Sequence, residues 1–525
     1  MAASRTGLVN GGGRRRKRGR VVMLVDNPVM GDSRVQKEAR SAAESDWDVV
    51  LLGRWSSASP AKRWRIGGAR VRLLDVPGLA LRHRRYLRSA RYRDPLAYPS
   101  SQVATSRQAE LLGLKSEAQS KIAESADRPG AVAAAGKWLW RVRLRSVIWV
   151  EQPVAEARRV RTAAVTKHRE AGDGRLDKLT GWWWDRLLGT GAWRRWDPAL
   201  LAFEGVYGPV IDSLEPDIIH ANDFKMLGIG ARAVARARAR GRDVRLVWDA
   251  HEFLPGIKPY NAHPHWHEAQ IRHERQFAPY AHAVVTVTEP LAEVLVEEHG
   301  LAEKPAVVMN APRAADVDTH VEVGIRAACG LPDGPPLLVY SGAAAAQRGL
   351  DTMVDALPAM PDVHVAFVVM FPPNSYVRAM QKRAADLGAG DRLHVLPYVG
   401  VHEIVGFLRS ATIGVIPAHK WPNHEISLGT KFFEYSFAGL PVIVSNLKAM
   451  STVTKETGMG EVFQAKHVGD YIRAVQAILA DLDGYRERSA AAVKSNDWTW
   501  EPQAEVLDGV YARLRADQGA GSPAG

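Results

Sequence analysis

Short apolar runs alternate along this chain with longer stretches in which apolar positions recur every three or four residues. That is the pattern of strands followed by covering helices in a parallel sheet. Val21–Val25 predicts a first strand and Pro28 to Asp32 a tight loop; a helix through Val35–Ala43 and a second strand at Val49–Leu52 follow. Val71–Leu74 predicts a third. After a different kind of sequence at residues 81–200, the alternation resumes at Ile218-Ile219, Leu246–Trp248, Val284–Val287 and Val307–Met309. A second set begins near Pro336, with strands at Leu337–Tyr340, Val365–Val369, Leu393–Leu396, Ile413–Ile416 and Val442–Val444 and helices such as Leu350–Leu357 and Tyr376–Leu387.

The fold class this predicts is α/β: two Rossmann-like, doubly wound domains whose strand C-termini, and therefore ligand loops, face one another across a cleft. The first is expected at 20–315, carrying a helical insertion at about 81–200, and the second at 325–495. An amphipathic helix at 497–516 is expected to follow. Residues 1–19, rich in Gly and Arg, and 517–525 read as disordered tails.

Composition adds compartment and charge. No stretch holds the roughly 18 consecutive apolar residues of a spanning helix, and VVMLV behind the basic N-terminal run lacks the length of a secretory leader. One cysteine, Cys329, excludes an internal disulfide framework and a Cys-based metal site. A cytoplasmic protein is the expectation. The net charge of +13 is concentrated: residues 81–200 hold 24 Lys/Arg against 12 Asp/Glu, together with eight of the 16 tryptophans. Basic residues among tryptophans suit a helix on the anionic inner face of a plasma membrane, as a peripheral contact. They equally suit an insertion that buries its indoles; nucleic acid is the least favoured partner, since no known binding motif is present. His263, His265 and His267 alternate in a Pro-containing loop, give no fixed ligand geometry and are not read as a metal site.

Several polar groups follow predicted strands directly. In the first domain these are the loop with Gly31, Asp32 and Arg34, then His220, Asn222 and Asp223, then His251 and Glu252. In the second, Arg348 stands at a helix start and Tyr398 and Val399 follow a strand. Lys431 and Glu434 lie three apart, on one face of a helix and close to its N-terminus. A cation at a helix N-terminus suits a pyrophosphate, and a carboxylate one turn on suits two ribose hydroxyls.

From Asp32 to the C-terminus, without the insertion, the chain resembles the retaining glycosyltransferases of family 4 (group 1), which have the GT-B fold. The strings that carry the resemblance include PDIIHANDF, VWDAHEFLPG, VMNAPR, YSGAAAAQRGLDTMVDAL and GTKFFEYSFAGLPVIVSN. The resemblance implies that Arg348 and Lys431 neutralise the donor pyrophosphate, that Glu434 holds the ribose, and that Tyr398 and Val399 flank the base. Gly31, Asp32 and Arg34 would belong to the acceptor and phosphate loop, and the C-terminal helix would brace the first domain. The chain departs from the family's pair of glutamates eight apart: Ile426 holds the first position, with Glu425 one step off. The backbone amides of Ser427, Leu428 and Gly429 are expected to supply part of that grip. A second histidine two after His220 is replaced by Asn222, so His220, Asn222, Asp223, His251 and Glu252 all stay candidates for contact with the transferred sugar.

The expected reaction moves a sugar, with retention, from a nucleotide-diphosphate sugar to a hydroxyl acceptor, such as a cell-envelope glycan, a lipid-linked saccharide or a glycosylated metabolite. It needs no cofactor and no metal. A nucleotide-sugar 2-epimerase of the same fold and an inactive scaffold for envelope assembly are the alternatives.

Overall fold

The structure, a computed structural model, describes residues 17–520 apart from 57–58, 60, 77–95, 99–100, 125–130, 172–174, 198, 260–264, 318–320, 401 and 497. The chain divides into two compact units: residues 1–75, 206–258 and 274–525 form one, and 76–205 with 259–273 form the other. Both sheets belong to the first unit.

The first sheet contains β1 (Arg20–Leu24), β2 (Asp48–Arg54), β3 (Arg63–Ile66), β4 (Ala69–Leu74), β5 (Ile218–Asn222), β6 (Arg245–Ala250), β7 (Ala283–Thr286) and β8 (Ala306–Val307). Its order is β3-β4-β2-β1-β5-β6-β7-β8, parallel throughout except for β3 against β4. The second contains β9 (Leu337–Ser341), β10 (His364–Val369), β11 (Leu393–Pro397), β12 (Ile413–Ile416), β13 (Val442–Ser445) and β14 (Gly460–Phe463), in the order β11-β10-β9-β12-β13-β14. Reversal of strand order opens a crevice at β1/β5 in one sheet and at β9/β12 in the other. The central strands are buried on both faces, as in Val21 to Leu24 at 0% exposure, because helices cover each sheet on both sides.

Two strands escape the apolar pattern. β3 reads RWRI, an edge strand whose alternating arginines face solvent, and β14 is the short GEVF at the other sheet's edge. The predicted last strand of the first domain reaches Met309, but β8 stops at Val307; the joint that follows holds the short helical turns Ala314–Val317 and Ile325–Ala328.

The C-terminal helix is Trp500–Ala520, so it runs through part of the expected 517–525 tail. Trp498 packs against Phe432 and Phe433 of the second domain at 5.6 and 5.8 Å between ring centroids. Leu507, Val510, Tyr511 and Leu514 then join the core built on Val21, Met23 and Val49. Arg18, within the expected N-terminal tail, pairs with Asp508 of this helix at 2.7 Å. The rest of both tails, residues 1–16 and 521–525, lies outside the described residues.

The second unit is helical: Ser101–Glu124, Ala131–Ser146, a π turn at Val147–Glu151, Gln152–Ala171, Arg175–Leu188 and Trp193–Trp196. It is wider than the predicted 81–200 and includes 259–273; residues 81–95 lie outside the described residues. Its tryptophans divide. Trp193 is buried edge-on to His273, and Trp196 stacks on His265, whereas Trp138, Trp149, Trp182 and Trp183 are 55–77% exposed. His263 lies outside the described residues. No described helix is long and apolar enough to cross a membrane.

Candidate active site

In the second domain the loops after β9 and β12 meet the helix Thr430–Phe437. Its N-cap is Gly429, exposed and with no side-chain cap; the Phe432 amide donates to the Gly429 carbonyl at 2.9 Å, which leaves the amides of Thr430 and Lys431 for a ligand. The Lys431 ammonium lies 5.3 Å from the Tyr340 ring centroid and against Gly342. Gly342 has φ +122°, and a Cβ there would fall 2.6 Å from Cε of Lys431. Burial, reinforced by the charge of Arg348, lowers the Lys431 ammonium to about 8. Arg348 approaches Nε2 of His424 at 3.4 Å. It is set by Gly349 (φ +72°), where any Cβ would strike the Pro417 carbonyl oxygen. His424 is pushed down by burial and, further, by Arg348 and Lys431.

Glu434 is 9% exposed, and its Oε2 has no hydrogen-bond partner among the described residues. Burial raises its pKa, while Lys431 and Lys37 pull it back. Tyr398 is pushed up to about 12 by burial, with the Glu434 carboxylate adding to it. Arg348, Lys431, Glu434 and Tyr398 therefore share one neighbourhood. Val399 packs into the second domain's core cluster, as does Leu428; Ser427 is half-buried. Glu425 does not substitute for a glutamate at position 426: its Oε2 accepts the Lys448 amide at 2.8 Å, capping the helix Lys448–Thr457.

In the first domain three of the expected site residues, Arg34, His220 and Asp32, are engaged by partners within the protein. Arg34 is paired with a buried carboxylate. Its guanidinium is 3% exposed and gives Asp249 a two-pronged pair, 2.8 Å on each arm, while Nη1 donates to the Val308 carbonyl at 2.6 Å. Glu38 lies 3.0 Å from the same guanidinium. Burial works against the charge on Arg34, but Asp249 and Glu38 outweigh it and hold the pKa above its ordinary value. His220 is fully buried, with Nδ1 2.6 Å from the Tyr511 hydroxyl, and burial lowers its pKa. Both residues belong to a buried network that locks β5, β6, the helix Ser33–Glu44 and the C-terminal helix together. Glu38, His220 and Asp249 stand close enough for a metal, but Arg34 already supplies the cation that balances the carboxylates.

Asp32 is likewise structural. One carboxylate oxygen caps the helix Ser33–Glu44 through Val35, and the other accepts from the Asn27 amide at 2.7 Å. Gly31 is exposed, with open space where a Cβ would lie. Around the β1/β5 switch point, Val29 and Asp223 hold φ of +71° and +67°, strained values for non-glycine residues. Asn222 is fully buried with neither amide atom partnered among the described residues. Burial raises Asp223 to about 7, with His251 opposing and Glu252 adding. His251 is half-buried with Nε2 3.0 Å from Asp249; that carboxylate outweighs burial and raises its pKa. Glu252 is exposed. Asn222, Asp223 and His251 thus gather at the crevice, and His220 and Arg34 support them from below.

The two domains touch around these loops. Thr288 Oγ1 donates to the Ile426 carbonyl at 2.7 Å, and the Phe253 amide donates to Asn423 Oδ1 at 2.9 Å. A small cavity lies between Ser33, Lys37 and Asn310 on one side and Ile404, Thr430 and Glu434 on the other. Lys37 is lowered to about 7 by burial and Arg34, is bonded to Asn310 and Ala311, and faces Trp500 at 4.9 Å. A larger cavity by His282, Lys304 and Arg513 sits at the strand N-termini, the wrong end of a doubly wound sheet for a ligand.

Residues 324–495 match the family model described as glycosyl transferases group 1, and residues 174–311 match that of glycosyltransferase family 4; together they cover more than half of the chain. The chain belongs to the family 4 glycosyltransferases. Among its curated relatives, the D-inositol 3-phosphate glycosyltransferase of Xylanimonas cellulosilytica is 26% identical over 260 residues, 47% of this chain and 60% of that protein. Its counterpart in Catenulispora acidiphila is 26% identical over 331 residues, 58% of this chain and 74% of that protein. The chain thus spans about 60% of the length of the first of these. Sucrose-phosphate synthase from Thermosynechococcus elongatus superimposes with a TM-score of 0.60 at 15% identity, covering 96% of this chain and 100% of that one. Anabaena HepE, solved with UDP-glucose, gives 0.56 at 12% identity over 94% of this chain and 100% of that one. These likenesses show the GT-B fold.

For a family 4 glycosyltransferase, the residues that sequence reasoning missed are mostly those paired over long sequence distances. Lys37, Glu38 and Tyr511 read as ordinary helix positions. Gly342 and His424 had a signal, a glycine directly after a strand and a histidine inside the loop that leads to Lys431.

Proposed function

We propose that this chain transfers a sugar from a nucleoside-diphosphate sugar to a hydroxyl acceptor with retention of anomeric configuration. The observation that carries the reading is the convergence of Arg348, Lys431 and the free Thr430 and Lys431 amides at the start of Thr430–Phe437 beside the carboxylate of Glu434, whose buried Oε2 has no partner among the described residues. Two cations and free amides match a diphosphate, and the open Glu434 oxygen matches a ribose diol. Tyr398 and Val399 flank the base.

As the glycosidic bond breaks, negative charge grows on the leaving diphosphate. Lys431 and Arg348 meet it in place, without reorganisation, which is where such sites gain most of their rate. The cations take the part a divalent metal plays elsewhere, so the reading invokes no metal and no cofactor. The acceptor hydroxyl attacks from the leaving-group side, and its proton passes to the departing phosphate. Asn222, Asp223 and His251 line the first-domain side and orient the sugar and acceptor. A polar saccharide, or a lipid-linked one at the inner membrane face, fits this acceptor side.

The test is a titration with UDP, GDP and ADP followed by their sugars, read by thermal shift, since a ligand that binds only the native state raises its stability. A positive donor is then incubated with candidate saccharide acceptors and the anomeric coupling of the product is measured. An inverted product removes the retaining mechanism. Failure of every nucleotide to bind removes the whole reading.

A further inference from the structure

We propose that the helical insertion is a docking surface for an anionic lipid bilayer. The helix Ala131–Ser146 passes through the π turn Val147–Glu151 into Gln152–Ala171. One face of this rod is taken: Val147 and Ala155 are buried with Leu111 of the helix Ser101–Glu124. Trp138, Val142, Arg145 and Trp149 recur at intervals of four, three and four, which places them in one stripe. Trp138 is 64% and Trp149 77% exposed, and Leu139, Val142, Val150 and Val154 are exposed beside them. A second stripe, Leu179, Trp182, Trp183 and Leu187, is exposed on Arg175–Leu188.

Charge identifies the occupant. Between Ala131 and Val150 the chain carries Lys137, Arg141, Arg143 and Arg145 and no acidic residue. Arg143 is held by Glu151 at 2.5 Å. Arg141 and Arg145 are exposed, with no acidic partner among the described residues. Indoles and aliphatic side chains bordered by free arginines match the acyl-chain boundary of a bilayer with its anionic headgroups just above. A second copy of the chain is a poor partner, because a two-fold contact would set this arginine-rich stripe against itself. A single-stranded nucleic acid would use the arginines and stack on the indoles but leave Leu139, Val142, Val150 and Val154 wet.

The experiment is co-sedimentation of the full chain with phosphatidylcholine vesicles, and with vesicles in which one lipid in four is phosphatidylglycerol. We expect binding to the anionic vesicles only, and its loss at about 1 M salt, where the Debye length is about 3 Å. The double variants Trp138→Ser/Trp149→Ser and Arg141→Glu/Arg145→Glu should each weaken binding by about tenfold or more. Melting temperature and nucleotide titration should not change. Trp182→Ser/Trp183→Ser provides an independent test if one of these fails to fold. A wild-type protein that stays in the supernatant, variants that bind as well as wild type, self-association through this face, or preference for an oligonucleotide over the vesicles would each overturn the proposal. None of these outcomes bears on donor binding, which is read separately.

Discussion

Nδ1 of His220 lies 2.6 Å from the hydroxyl of Tyr511, joining β5 to a helix 291 positions further along the chain. The contact sits on the network of Arg34, Glu38 and Asp249, and Asp249 in turn holds His251 at 3.0 Å. Tyr511→Phe keeps the ring packing against Trp47 but leaves a buried imidazole nitrogen unpaired. That costs about 1–3 kcal/mol, seen as a melting temperature lower by a few degrees. Nucleotide affinity, which the proposed function assigns to the other domain, should stay within about twofold. A variant that melts like wild type would show that the contact contributes nothing.

Lys431→Ala and Glu434→Ala should reduce turnover by different routes. Removing Lys431 takes away a cation from the leaving group, worth on the order of 2.7–4 kcal/mol of barrier by analogy with an oxyanion donor, or about a hundredfold to a thousandfold in kcat. Removing Glu434 loses the proposed ribose contact and should appear mainly as weaker donor binding. Glu434 Oε2 has no partner among the described residues and the Lys431 ammonium meets the Tyr340 ring there, so neither substitution should lower the melting temperature by more than a few degrees. Steady-state kinetics with wild-type values for both would remove the donor-site assignment.

With the proposed donor site, the lowered pKa of Lys431 should make donor binding pH-dependent. A diphosphate prefers the charged ammonium, so affinity is fully present below about 8, the value in the free protein. It declines as pH rises above 8, by up to about tenfold per unit, until it reaches the higher value of the bound state. Lys431→Arg keeps its charge throughout and should flatten the curve between pH 7.5 and 9.5, roughly the window over which the lysine discharges. Calorimetric titration across that range distinguishes the two; identical slopes would place the titration elsewhere.

How much of this was legible depended on distance along the chain. The strands at the centre of each sheet announce themselves as unbroken apolar runs because both faces are covered, and Lys431 and Glu434 can be placed together because three residues on a helix is a local relation. β3 was hidden, since RWRI at an edge has no reason to be apolar. The partner of Arg34 was hidden for a physical reason: an arginine at a helix start after a strand suits an anion, and the anion it meets in the protein is Asp249, 215 positions away. His220 likewise follows a strand as a catalytic residue would, but its partner comes from the last helix. Pairings that depend on tertiary closure leave no mark in local spacing.

Gly342 tests whether the backbone itself shapes the donor site. Its φ of +122° is one that side-chain-bearing residues rarely adopt, and the Cβ of an alanine would meet Cε of Lys431 at 2.6 Å and Nζ at 2.9 Å. The lysine side chain is flexible, so it would move aside rather than force the sheet apart. Gly342→Ala should therefore combine two effects: backbone strain of about 1–3 kcal/mol, and an ammonium displaced from its place over Tyr340. The strain lowers stability modestly. The displacement should weaken nucleoside-diphosphate binding by about tenfold or more while nucleoside binding, which does not use the cation, stays the same. Gly342→Ala/Lys431→Ala separates the two effects, because the alanine at 342 then meets empty space. If the double variant binds the diphosphate no worse than Lys431→Ala alone, Gly342 acts through the lysine; if it binds markedly worse, the loop backbone contacts the ligand directly.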